Sequence, residues 1–287
     1  MPAERAPSAD DENAPRPWSR DPQFEVLPLP GISDLAGAHL PAGARVTVTA
    51  SPAQGLSATV TTAGELAGRG FTVIPHLAAR MVPDERTANR IVERLGSAGV
   101  REVFVIGGDA PQPAGSFSDA LDLLRVLPTD PALTIGIGAH PEGHPFLDDE
   151  SADRLLRTKA EHASYMVTQM CFDATALLDW VRRIRAQGIV LPVRPGIAAP
   201  VGAVRLARLG ARIGVGRSLR LLTSSSTGVR RMMGPRTWQP DELLDQLAPA
   251  YGDPELGLAG PHVYTFNALA TVQDWWPTEA PHRPSAG

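Results

Sequence analysis

Short runs of β-branched and aromatic residues alternate along this chain with longer stretches in which apolar residues return every three or four positions. The first pattern predicts strands over 23–27, 45–50, 71–74, 103–106, 133–138, 164–169, 190–193 and 262–266. Val103, Phe104, Val105 and Ile106 are apolar without a break, as in a parallel strand covered on both faces. The second pattern predicts helices. Ala88, Ile91, Val92 and Leu95 fall on one helical face, behind Pro83 and Asp84 and ahead of Gly96 and Gly99. A helix runs through 61–66, and Ser118 is placed to cap another that carries Leu121, Leu124 and Leu127 and stops at Pro128. Asp148, Asp149, Glu150 and Asp153 read as the acidic first turn of a further helix. Asp173 caps one that turns Leu177, Val181 and Ile184 inward and closes at Gly188. Helical segments surround the loop SSSTG and the span 239–247, and a last short helix ends near Trp275 and Trp276. The LPLPG segment and the residues up to Gly43 read as too short and proline-broken for a full barrel helix.

Strands alternating with helices in this number predict an α/β fold, the (β/α)8 TIM barrel. A single domain over 21–276 is expected, with residues 1–20 and 277–287, rich in Pro, Ala and charge, as disordered tails.

Composition narrows the functions. A length of 287 residues with 43% hydrophobic content suits one barrel. A net charge of -4, with no basic cluster, speaks against a nucleic-acid partner. Cys171 is the only cysteine, which excludes an internal disulfide. With no membrane-length apolar run and no signal-peptide core, a cytoplasmic protein without a membrane partner is expected, its oligomeric state open. Lys159 is the only lysine among many arginines; composition bias accounts for this, and its helical setting speaks against a Schiff base on a strand.

Barrel chemistry sits at the C-terminal strand ends. Gly107 and Gly108 let the chain turn after VFVI, so Asp109 emerges at such an end. Glu25 lies between Phe24 and Val26, where a solvated face and a functional carboxylate are both open readings. Thr49 and Ser51 fall near the end of the second strand, and Gln169 ends the sixth. His76 follows Ile74 and Pro75 and is read into the layer of Asp109, in a packing or a ligand role. His140, Glu142 and His144 invite a metal, but Pro141 and Pro145 break any helix that would align them, so no metal is expected.

The segments FEVLPLP, IPH, IGGD, AHPEGHP, VTQMCFD, RPGI and HVYTFN, in this order, resemble the methylenetetrahydrofolate reductase family over about residues 23–275. The resemblance implies reduction of 5,10-methylenetetrahydrofolate to 5-methyltetrahydrofolate by NADH or NADPH. It makes Glu25 the acid that protonates N10 and opens the ring to a 5-iminium cation, with Asp109 and Gln169 reading the pterin edge. Those residue types suit a pterin, which offers N–H donors beside a carbonyl acceptor.

Most members hold FAD, with an arginine and a tyrosine at positions that are Gly107 and His140 here, while Lys159 matches a lysine near the flavin phosphates. One branch in high-GC actinobacteria passes hydride directly from NADH, and the Ala- and Arg-rich composition resembles it. FAD is therefore doubtful, and Thr49, His76, Gly107, Gly108, His140 and Lys159 are the expected cofactor-side residues. An FAD-containing reductase, a folate-dependent methyltransferase and a non-catalytic folate-binding barrel are the competing readings.

Overall fold

The computed structural model describes residues 16–144, 147–202, 205–206 and 237–276. Its centre is a closed parallel barrel. The strands are β1 (Gln23–Val26), β2 (Arg45–Val48), β3 (Thr72–Ala78), β4 (Glu102–Ile106), β5 (Thr134–Ala139), β6 (Tyr165–Met170) and β7 (Val193–Ala198). A small antiparallel ladder of β8 (Val201–Gly202) and β9 (Thr237–Trp238) lies outside the barrel, and β10 (His262–Tyr264) closes it between β7 and β1. The helices are α1 (Ile32–His39), α2 (Gly55–Gly68), α3 (Glu85–Ser97), α4 (Ala120–Leu124), α5 (Asp149–Ala160), α6 (Ala174–Ala186), α7 (Asp241–Leu247) and α8 (Leu269–Trp275). The expected (β/α)8 barrel is the fold observed. Among the described residues no helix is long and apolar enough to cross a membrane.

Strand alternation explains which residues meet. In β1, β2 and β10 the apolar positions Phe24, Val26, Val46, Val48 and Val263 join the core shared with the helices. The polar positions between them must then face the barrel interior. Gln23 on β1 accordingly reaches Tyr165 on β6, and Glu25 reaches His76 on β3 across β2. Ile74, Phe104, Tyr165 and Val167 form a separate apolar plug inside.

The N-terminal end of the barrel is closed by charge. Arg45 Nη2 donates to both carboxylate oxygens of Glu102, at 2.7 and 2.6 Å. Arg194 donates to the backbone oxygens of Asp21 and Gly260, at 2.8 and 3.0 Å, and pairs with the Asp21 carboxylate.

Several local expectations change. β3 runs on through Pro75 to Ala78, so His76 lies inside the strand opposite Phe104 and below the layer of Asp109. β7 spans the Arg194-Pro195 pair, and Val190, expected to begin it, is 79% exposed. A proline lacks the N–H that a ladder needs, and the β6–β7 register is irregular between Val167 and Met170, beside Pro195. The segment after LPLPG does form a helix, α1, of 8 residues. Asp119, rather than Ser118, caps α4, because its carboxylate accepts from the Leu121 and Asp122 amides while Ser118 binds Asp122.

Residues 1–15 and 277–287 of the expected tails, and the SSSTG loop with the helical pattern beside it, lie outside the described residues. Trp18, assigned by sequence to the first tail, is 1% exposed and packs edge-on against Trp276, with ring centres 5.5 Å apart.

Candidate active site

The alternation Gln-Phe-Glu-Val sends Glu25 into the barrel interior, where its side chain is 15% exposed. Its Oε2 lies 3.2 Å from Nε2 of His262 and 3.8 Å from Nε2 of His76. Burial lowers His76 from an ordinary 6.5 to about 4, with Glu25 opposing the shift and His262 adding to it, so the ring is neutral near pH 7. His76 Nε2 and the hydroxyl of Thr47, the neighbour of Glu25 in the β1–β2 register, make no hydrogen bond among the described residues. Two polar groups beside the carboxylate thus make no hydrogen bond among the described residues.

Tyr264 shares a strand face with His262, their ring centres 4.8 Å apart. Its hydroxyl donates across β7 to the Thr168 carbonyl at 3.2 Å and lies 3.5 Å from Gln169 Oε1. That crossing needs a glycine on β7: a Cβ at Gly196 would come within 2.3 Å of the Thr168 oxygen and 2.9 Å of the Tyr264 ring. Gln169 Oε1 also accepts from the Met170 amide at 2.9 Å, so the expected pterin-reading amide is held in place. Cys171 beside it is pushed up by burial to about 12 and stays a thiol.

The mouth at β10 is pinned by Asn267. Its Oδ1 accepts from the Leu27 amide at 2.8 Å, and its Nδ2 donates to the Leu27 carbonyl at 3.1 Å. Phe266 and Asn267 both adopt positive φ, 53° and 60°, a conformation rare for a bulky residue and tolerated by asparagine. Asp109 is exposed past β4. Gly108 makes the turn before it with φ 84°, and a Cβ there would come within 2.9 Å of Ala78. Arg80 steadies the following loop by donating to the carbonyls of Ala110, Pro111 and Ser118.

A second cluster lies at the end of β5. Lys159 is buried and gives Nζ to the Gly138 carbonyl at 2.8 Å; burial lowers it to about 8, with Asp119 opposing. His140 is lowered to about 3, first by burial and then by His144 and Lys159. The His140 and His144 rings meet edge to face at 4.7 Å, but no group of three or more potential metal ligands occurs among the described residues. Thr49 sits past β2 with a buried hydroxyl that makes no hydrogen bond among those residues.

Of the residues singled out by sequence, the structure brings Glu25 and His76 together directly, and Gln169 through Tyr264. Sequence reasoning gave no role to His262, Tyr264 or Gln23. The available signal was alternation: His262 and Tyr264 flank Val263, and Gln23 stands two residues before Glu25 on the same face.

The family model described as Methylenetetrahydrofolate reductase matches residues 31–214 of the 287. The chain is 33% identical over 116 residues to methylenetetrahydrofolate reductase 1 of Schizosaccharomyces pombe, an alignment covering 37% of this chain and 19% of that protein. It is 30% identical over 127 residues to the probable methylenetetrahydrofolate reductase (NADPH) of Caenorhabditis elegans, covering 41% and 19%. With the methylenetetrahydrofolate reductase (NADH) 1 of Zea mays it shares 28% identity over 142 residues, covering 42% and 24%. The matches thus span less than a quarter of these relatives' own length. Among solved structures, an oxaloacetate acetylhydrolase superposes with a TM-score of 0.52 over 88% of this chain and 78% of that one; at 12% identity this is likeness of fold alone.

Proposed function

The chain belongs to the methylenetetrahydrofolate reductase family, and from that premise we propose that it reduces 5,10-methylenetetrahydrofolate to 5-methyltetrahydrofolate, with hydride passing directly from NADH or NADPH. The observation that carries the reading is Glu25, a carboxyl set inside the barrel between two histidines. Protonated Glu25 gives its proton to N10 as the C–N10 bond of the five-membered ring breaks, leaving a 5-iminium cation. The resulting carboxylate lies beside that cation and stabilises it. Hydride from the nicotinamide ring reaches the iminium carbon to form the methyl group, and solvent restores the proton of Glu25. Asp109 and Gln169 hold the pterin edge. Thr49, His76, Gly107, Gly108 and His140 face the nicotinamide side.

Relatives named for NADH and for NADPH support a nicotinamide donor. Among the described residues, the positions where the resemblance expects flavin contacts suit FAD poorly. A flavin diphosphate needs positive charge, and position 107 is glycine, which offers no guanidinium. Lys159 is buried and gives one of its three N–H donors to the Gly138 carbonyl. Arg80 is committed to the carbonyls of the loop after β4.

The test is the visible spectrum of the purified protein, followed by initial rates with NADH and methylenetetrahydrofolate both varied. A colourless protein with intersecting rate lines is expected, because direct transfer requires both substrates bound at once. Stoichiometric FAD with parallel lines would overturn the flavin-free reading, and no folate-dependent NADH oxidation would overturn the activity itself.

A further inference from the structure

Gln23 lies at the junction between the charged barrel floor and Glu25. One arm of its amide is 3.2 Å from both Arg194 Nε and Arg45 Nη2. The other arm is 3.4 Å from His262 Nδ1. Guanidinium groups only donate, so the arm facing them must be the oxygen. With nitrogen there, the amide would make one 3.4 Å bond to the Tyr165 hydroxyl and turn N–H toward two cations. The arginines cannot turn away to relieve this. Arg45 is held by Glu102 and Arg194 by Asp21 and the Gly260 carbonyl.

The arm facing His262 is therefore an NH2 donor, and Nδ1 must accept. A neutral imidazole that accepts at Nδ1 carries its proton on Nε2, and this nitrogen lies 3.2 Å from Glu25 Oε2. His262 then donates to Oε2, which leaves Oε1 as the oxygen able to carry a transferable proton. In the opposite tautomer His262 would accept from Glu25, and the acidic proton would be tied up in the bond to His262.

We propose that Gln23 is a positioning residue: anchored by Arg45 and Arg194, it fixes His262 in the Nε2–H form and so directs the proton of Glu25 to Oε1. The catalytic consequence rests on the acid role of Glu25 given above, whereas the tautomer does not.

The experiment is long-range ¹H–¹⁵N correlation NMR on protein labelled at its histidine ring nitrogens, with His262→Gln identifying the resonances, alongside steady-state kinetics. Wild type should show His262 protonated at Nε2 and unprotonated at Nδ1. Gln23→Glu keeps an oxygen for both arginines and so preserves the floor, but it offers an acceptor to Nδ1. It should protonate Nδ1 and lower kcat about tenfold or more, with folate affinity within about twofold. Gln23→Leu should lose the fixed tautomer and also melt earlier, since it strips the arginines of an acceptor. Protonated Nδ1 in wild type, or an unchanged tautomer in Gln23→Glu, would overturn the assignment. A Gln23→Glu enzyme with wild-type kcat would overturn its catalytic consequence. Because the NMR reading needs no turnover, an Nε2–H His262 in a protein that never reduces folate would refute the proposed activity while leaving this assignment standing.

Discussion

Oε2 of Glu25 lies 3.2 Å from Nε2 of His262, a residue 237 positions further along the chain. The first and last strands of the barrel meet at that contact, and it converts an isolated strand carboxylate into part of a buried polar group with His76 and Gln23. Closure of the barrel thus also assembles the candidate acid.

Glu25→Gln keeps the size of the side chain and its bond to His262 but has no acidic proton. Folate-dependent NADH oxidation should fall by about 10² to 10⁴, the usual worth of general acid catalysis. A spectroscopic folate titration should show binding retained. Near-wild-type turnover would reduce Glu25 to a structural role.

Asp109→Ala and Gln169→Ala should each weaken folate binding by about 1 to 3 kcal/mol. They should differ in stability. Asp109 is exposed, so its loss should leave the melting temperature unchanged. Gln169 accepts from the Met170 amide, so its removal should also lower the melting temperature. Titration calorimetry with thermal melts of both variants separates the effects.

Stability should fall on acidification through the histidine range. His76 is depressed to about 4 and His140 to about 3, so below 6.5 the unfolded chain takes up protons that the folded protein refuses. The stabilisation is full above pH 6.5 and drains away as pH falls toward those values. Between pH 7 and pH 5, His76 alone should cost on the order of 1 to 2 kcal/mol. Denaturant melts at the two pH values check this, and His76→Gln, which does not titrate, should flatten the dependence.

Gly196→Ala should destabilise the barrel by more than about 3 kcal/mol, because its Cβ would run into the Thr168 carbonyl and the Tyr264 ring. Gly202→Ala, with nothing among the described residues within 4 Å of the added carbon, should stay within about 0.5 kcal/mol. Chemical denaturation of the pair tests whether close approach at β7 sets the cost.

The sequence by itself determined what neighbouring residues dictate to one another. Periodicity marked the strands and helices, Asp84 and Asp173 announced their caps, and the order of short motifs pointed to Glu25, Asp109 and Gln169 at strand ends. It erred where a proline sits inside a strand, at Pro75 and Pro195, because local rules end a strand that the barrel's neighbouring ladders hold open. Only the tertiary structure decided the company each side chain keeps. Whether Glu25 faces solvent or two histidines depends on barrel closure and on the tilt of strands far apart in the chain. Likewise the inward turn of Lys159 toward Gly138, and the direction of the Gln23 amide between two arginines and His262, follow from contacts that no local pattern encodes. Hydrogen-bond direction in a buried site is set by which donors and acceptors the folded chain brings within about 3 Å, and that is a property of the assembled barrel.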